Sequence, residues 1–236
     1  MSSKGWPTAQ WVRAEMCAIA IAVIPVFVLV SAAADVDSLL DRPLNQFEAK
    51  HGEEFLVLCR TINVPCGVEY SSSATTQESK EQGPLQLTKS SARAALDSIV
   101  QRYPGHRWVA RNGVINMEPK SRDGEDVLAR RLDSISIHGA SSFKAALDVL
   151  HQADIPTGYQ IMGRPPRYAV IELELKDVTV RDALNAIAKM DGQLVWVFRS
   201  SGPKGRWMLS MPSWRKSGAP FSIEERKKLK QPRGKK

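Results

Sequence analysis

The chain has 236 residues, a formal net charge of +8 and 43% hydrophobic residues. That is enough apolar content for a globular body of one sizeable domain or two small ones. The charge is not spread evenly: residues 35–214 hold 22 basic and 22 acidic side chains, while residues 215–236 hold nine basic residues against Glu224 and Glu225. A neutral body without a basic face argues against nucleic acid as a partner.

Residues 1–34 read as a secretory signal peptide. Lys4 and Arg13 precede the uncharged apolar stretch from Cys17 to Val30, and Ser31, Ala32, Ala33 and Ala34 supply the small residues before a cut at Asp35. The rival is a retained N-terminal membrane anchor, because Cys17 to Ala34 spans 18 residues, at the lower edge of a bilayer crossing. The expected location is therefore periplasmic or secreted, with the anchored form as the alternative. No second apolar stretch of spanning length follows.

The spacing of Phe55, Leu58, Cys59 and Ile62 predicts a helix over 48–62, ended by Asn63-Val64-Pro65. Residues 66–70 read as a strand and 71–83 as a polar loop. Leu85 and Leu87 alternate as in a half-buried strand. Ser90 or Ser91 then caps a helix from Ala92 to Arg102. Residues 106–118 read as two strands around Asn112-Gly113, a pair that favours a tight hairpin. Residues 119–131 form a junction, and the pattern restarts. Ile135 and Ile137 mark a strand. Ser141 or Ser142 caps a helix carrying Phe143, Ala146, Leu147 and Leu150 on one face. Val170 to Leu175 is a strand, and Thr179 caps a helix with Ala183, Leu184 and Ile187 inward. Strands follow at 194–198 and 207–210.

The restart is a repeat. Residues 85–109 align without a gap on 173–197 at an offset of 88, with eight identities in 25 positions that include Arg93/Arg181 and Trp108/Trp196. Val64-Pro65-Cys66-Gly67 returns as Ile155-Pro156-Thr157-Gly158 at an offset of 91. The expected class is α+β: two tandem copies of a helix–strand–strand–helix–strand–strand module, over 35–124 and 125–214, followed by a disordered basic tail over 215–236. A leading strand is clear only in the second copy. The copies either share one core or form separate modules.

The stretch Leu173-x-Leu175, then Thr179-Val180-Arg181-Asp182-Ala183-Leu184-x-x-Ile187 and Trp196-Val197, resembles the short N-terminal domain of secretins and TonB-dependent transducers. Leu85 to Val109 carries the same pattern. The resemblance implies a non-catalytic periplasmic docking module. No barrel or secretin core follows in this chain and the pattern occurs twice, so the expectation is a stand-alone exported protein built on that fold.

No G-x-S-x-G, H-E-x-x-H, P-loop or G-x-G-x-x-G motif occurs. No enzymatic activity and no cofactor or metal is expected. His51, His106, His138 and His151 read as surface or packing residues, with Glu54 the only nearby ligand type for His51. Arg93 and Arg181 could pair with Asp97 and Asp177, and a structural ion pair or helix-surface role is favoured over anion binding. Trp108 and Trp196 are expected in the core. Cys59 and Cys66 are candidates for a disulfide in an oxidising compartment. The basic, proline-stiffened loop from Met162 to Tyr168 offers Arg164, Arg167 and Tyr168 to a partner. In the tail, Arg226, Lys227, Lys228 and Lys230 could hold an anionic surface. The function expected is docking of an envelope protein. The alternative is a binder of a small ligand, a cell-wall polymer or an anionic lipid, using the cleft between the copies and the tail.

Overall fold

A computed structural model describes residues 36–70, 82–122, 124–159, 168–200 and 207–214. Residues 1–34, read above as a signal peptide, Arg164, Arg167 and the tail with Arg226, Lys227, Lys228 and Lys230 lie outside them. The described residues belong to one compact unit. No helix among them is long and apolar enough to cross a membrane.

The class is α+β. The first half runs α1 (Val36–Leu40), β1 (Pro43–Ala49), α2 (Glu54–Ile62), β2 (Cys66–Tyr70), β3 (Leu85–Ser91), α3 (Ala92–Arg102), β4 (His106–Arg111) and β5 (Val114–Pro119). After a short 3-10 turn at Val127–Ala129, the second half runs β6 (Arg131–Ser141), α4 (Ser142–Gln152), β7 (Thr157–Tyr159), β8 (Val170–Thr179), α5 (Val180–Asp191), β9 (Val195–Ser200) and β10 (Trp207–Ser210). The same order and register govern both. Pro43 faces Ser91 across β1 and β3, and Arg131 faces Thr179 across β6 and β8. Lys89 and Asp177, at the same place in the two ribbons, both take left-handed φ values of 49° and 51°.

Local chemistry explains most boundaries. Ser91, Ser141 and Thr179 each accept a hydrogen bond from the backbone N–H three residues on, closing a helix start. Asn112 and Gly113, at φ 52° and 86°, make the two-residue turn that joins β4 to β5. Helix α2 begins later than the helix predicted over 48–62. Residues 48 and 49 belong to β1, because Leu44, Phe47 and Ala49 bury against the helices and the strand pairs with β3. The first half thus has the leading strand that the sequence displayed only in the second.

The halves share one sheet of order β4-β5-β2-β9-β10-β7. Neighbouring residues of β9 point to opposite faces. Val195 and Val197 join the core of α2 and α3, whereas Trp196 and Phe198 join that of α4 and α5. The two helix pairs therefore cover opposite faces of the sheet. Each pair is closed on its far side by its own ribbon, β1–β3 or β6–β8.

Cys59 and Cys66 are bonded, with Cα atoms 6.3 Å apart. The bridge ties the end of α2 to the start of β2 across a sequence separation of 7. A loop of this size limits the unfolded chain by about 2.5 kcal/mol. Reduction is expected to lower the melting temperature by about 5–10 °C, read by thermal denaturation with and without dithiothreitol. An unchanged melting temperature would mean the bridge contributes nothing to stability.

Candidate functional site

Most titratable groups with functional potential are tied to one another. Glu54, buried on α2, accepts from the Tyr103 hydroxyl and from Arg102, both at 2.8 Å, and from the Gly52 N–H at 2.7 Å. Burial, then the Glu54 hydrogen bond, raises the Tyr103 pKa, so the hydroxyl stays a donor. On the outer face of the β6–β8 ribbon, His138 lies 3.0 Å from Glu172 and from Glu174, one carboxylate at each ring nitrogen. The Glu172 hydrogen bond raises His138, and His138 in turn lowers Glu172. Among the described residues no cluster of His, Cys, Asp or Glu is arranged to hold a metal ion.

His106 is buried. Its Nε2 lies 3.2 Å from the Glu69 carbonyl, and burial holds its pKa below the ordinary value. The native imidazole therefore stays neutral while the unfolded chain takes up a proton below about pH 6.5. The stability that follows is present above that pH and is lost as the pH falls towards the native pKa. Thermal melts between about pH 7 and 5.5 should show a shallower slope for His106→Gln than for the parent. Equal slopes would place the pH dependence elsewhere.

The densest buried chemistry sits where the halves meet. Strand β2 pairs in parallel with β9, placing Gly67 opposite Trp196 and Glu69 opposite Phe198. The Trp196 ring lies directly against Gly67, so a Cβ there would sit 2.2 Å from the ring. Its Nε1 donates to Asn185 Oδ1 at 3.0 Å. Beside it, Arg181 on α5 bonds Glu69 and Asp126, and Arg122 bonds the same two carboxylates at 2.6 and 2.9 Å. Burial opposes the charge on Arg181, but Glu69 and then Asp126 outweigh it and hold the guanidinium protonated. This is a structural ion cluster binding the second half's helix to the first half's strand.

The two outer strands repeat half of that junction each. On β4, Trp108 donates from Nε1 to Asp97 at 2.8 Å, and Arg93 sits 5.8 Å from its ring. Arg93, Asp97 and Trp108 stand 88 residues before Arg181, Asn185 and Trp196. No strand covers them among the described residues, because β4 ends the sheet. On β7, the other end, Gly158 takes the sequence place of Gly67 and is exposed. Tyr159 beside it is 58% exposed, which is high for a large aromatic in a strand.

Tyr168 lies at this second edge. Its ring stacks on Phe143 at 5.4 Å, Phe143 meets Tyr159 edge-on at 5.6 Å, and its hydroxyl donates to the Met211 carbonyl. Burial pushes its pKa up to about 12, with Asp191 adding to the effect. Of the loop residues singled out from the sequence, Tyr168 is thus placed in an aromatic cluster next to an open strand.

Two pairings differ from the sequence reading. Arg93 bonds Asp37 and Asp41, not Asp97, which is taken by Trp108. Arg181 bonds Glu69, 112 residues away, and not Asp177, which pairs with Arg131. In each case a partner brought by the tertiary fold displaced the neighbour expected from the chain, Asp97 on the same helix or Asp177 on the preceding strand. Trp196 is fully buried as expected, but Trp108 is only half-buried. The Gly67/Gly158 match, beside Trp196/Trp108, was the sequence feature that could have marked the edges. The residues at the join of the halves, Gly67, Glu69, Val195, Trp196 and Val197, are all buried.

No protein-family model, curated protein or solved structure matches the chain.

Proposed function

We propose that the chain is an exported, non-enzymatic docking protein of the bacterial envelope that takes a partner by strand addition at the open edges of its sheet. The observation that carries this reading is the pair of sheet ends, β4 and β7, each unpaired on its outer side among the described residues and each flanked by aromatic side chains. Exposed edges recognise extended segments through backbone hydrogen bonds, and neighbouring side chains supply selectivity. The Cys59–Cys66 bridge supports an oxidising compartment. The resemblance to the N-terminal domain of secretins and TonB-dependent transducers points to the same class of role. The basic tail, including Arg226, Lys227, Lys228 and Lys230, would hold the protein near anionic lipid or polymer.

The test is affinity capture from the host envelope with tagged full-length protein, alongside variants with a proline at Ala110 on β4 or at Tyr159 on β7. Capture of one defined protein that either edge variant loses is the expected result. Capture unchanged by both would overturn the edge mechanism. Retention on membrane or wall that needs only residues 215–236 would favour the polymer or lipid binder.

A further inference from the structure

The open edges are not arbitrary edges. The internal junction joins β2 of the first half to β9 of the second, in parallel. Strand β9 stands where β4 stands in the first half, and β7 stands where β2 stands. The sheet is therefore a head-to-tail array, with one junction formed and one tail and one head left over. The left-over strands are of the same two kinds that already pair inside the molecule.

Resting on the docking reading above, we infer that the partner of these edges is a second copy of this chain, with β7 of one molecule pairing in parallel with β4 of the next. The strand directions allow it. In the sheet β4 runs opposite to β5 and β2, β9 runs with β2, and β10 and β7 run opposite to β9. Strand β7 therefore points the same way as β4, and parallel addition leaves the next molecule in the orientation of the first.

The internal register fixes the external one. Cys66, Gly67 and Val68 face Val195, Trp196 and Val197. Shifted by the offsets of 91 and 88, these become Thr157, Gly158 and Tyr159 facing Arg107, Trp108 and Val109. Gly158 would then lie under the Trp108 ring, as Gly67 lies under Trp196. The Trp108 ring is already held by Asp97 as Trp196 is held by Asn185.

The backbone groups are also in place. Within the junction, the Cys66 N–H donates to the Leu194 carbonyl. In the β4–β5 hairpin, Arg111 and Val114 close the turn as a hydrogen-bonded pair, so alternate residues Trp108 and Ala110 turn their N–H and C=O outward. The outward groups of β7 are those of Thr157 and Tyr159, by equivalence with Cys66 and Val68.

The external junction is weaker than the internal one. Arg107 replaces Val195, and in the free molecule Arg93 is bonded to Asp37 and Asp41. A small, partly polar contact of this kind gives reversible association. Because the contact is heterologous, it propagates into an open chain or a closed ring and does not stop at a symmetric dimer.

Sedimentation equilibrium of the full chain is the first experiment. The weight-average mass should climb above monomer as the concentration rises from about 10 µM to about 1 mM. Ala110→Pro blocks the β4 edge at an outward position, where proline is tolerated, and Tyr159→Pro blocks the β7 edge. Each variant alone should keep the parent's circular dichroism and remain monomeric. Mixed in equal amounts, the two should form heterodimers and nothing larger, since only one good β7 and one good β4 remain per pair. A parent chain that stays monomeric throughout, or variants that still assemble alone, would overturn the inference. A monomeric parent that loses envelope capture on either edge substitution would overturn self-pairing and leave the docking reading standing. Capture indifferent to both edges would remove the docking reading itself.

Discussion

Replacing Arg181 with methionine is expected to lower stability by about 3–5 kcal/mol, a fall of about 10 °C or more in the melting temperature. Arg181 and Arg122 together face Glu69 and Asp126 in a cluster where the Arg181 side chain is 8% exposed and that of Glu69 4%. Methionine fills a similar space but leaves one arginine between two carboxylates. The uncompensated charge is then held where water cannot screen it. Adding Glu69→Gln to Arg181→Met should recover part of the loss, because it restores neutrality. The equivalent change in the first half, Arg93→Met, removes an exposed pairing with Asp37 and Asp41 and should leave the melting temperature unchanged. Thermal denaturation of the three variants beside the parent decides the matter. Equal small effects at 93 and 181 would mean that the junction is not held by this cluster.

That contrast also marks the limit of what the sequence displays. Features set by neighbours in the chain were legible: the caps at Ser91, Ser141 and Thr179, the Asn112-Gly113 hairpin, and the position of Cys59 and Cys66 at a chain reversal. Strand β1 was less legible, because Glu48, Ala49 and Lys50 suit a helix and only pairing with β3 holds residues 48 and 49 extended. The partners of the two arginines were not legible at all. Identical residues at identical helix positions met different carboxylates, since Arg181 faces the other half of the molecule and Arg93 lies at an exposed edge beside Asp37 and Asp41. The joining of β2 to β9 was equally hidden. The repeated positions are mostly apolar and record which side chains turn inward, not which strand edge meets which. Only the residues at the edge carry that information, and in this chain they are a glycine and a tryptophan.

Gly67→Ala tests that pairing directly and is expected to destabilise the protein by about 3 kcal/mol. The added methyl would stand 2.2 and 2.3 Å from two atoms of the Trp196 ring and 2.6 Å from Asn116 Oδ1. Neither neighbour has room to give way: Trp196 is fully buried and tethered through Nε1 to Asn185, and Asn116 is buried on β5. Gly158→Ala at the equivalent place meets only the Met208 sulfur closer than 3 Å, with the next atoms at 3.8 Å. A thioether end swings aside readily, so that change should cost well under half as much. If the tryptophan is what excludes the methyl, then Gly67→Ala made in a Trp196→Leu background should cost far less than in the parent, a non-additivity of about 1–2 kcal/mol. Additive costs would mean that the strain lies in the backbone of β2 and not in the ring above it. Either way the tight site is the formed junction and the roomy one is the open edge, so the glycine at 158 is not demanded by the packing of its own half. Its place under an uncovered tryptophan of the next molecule accounts for it.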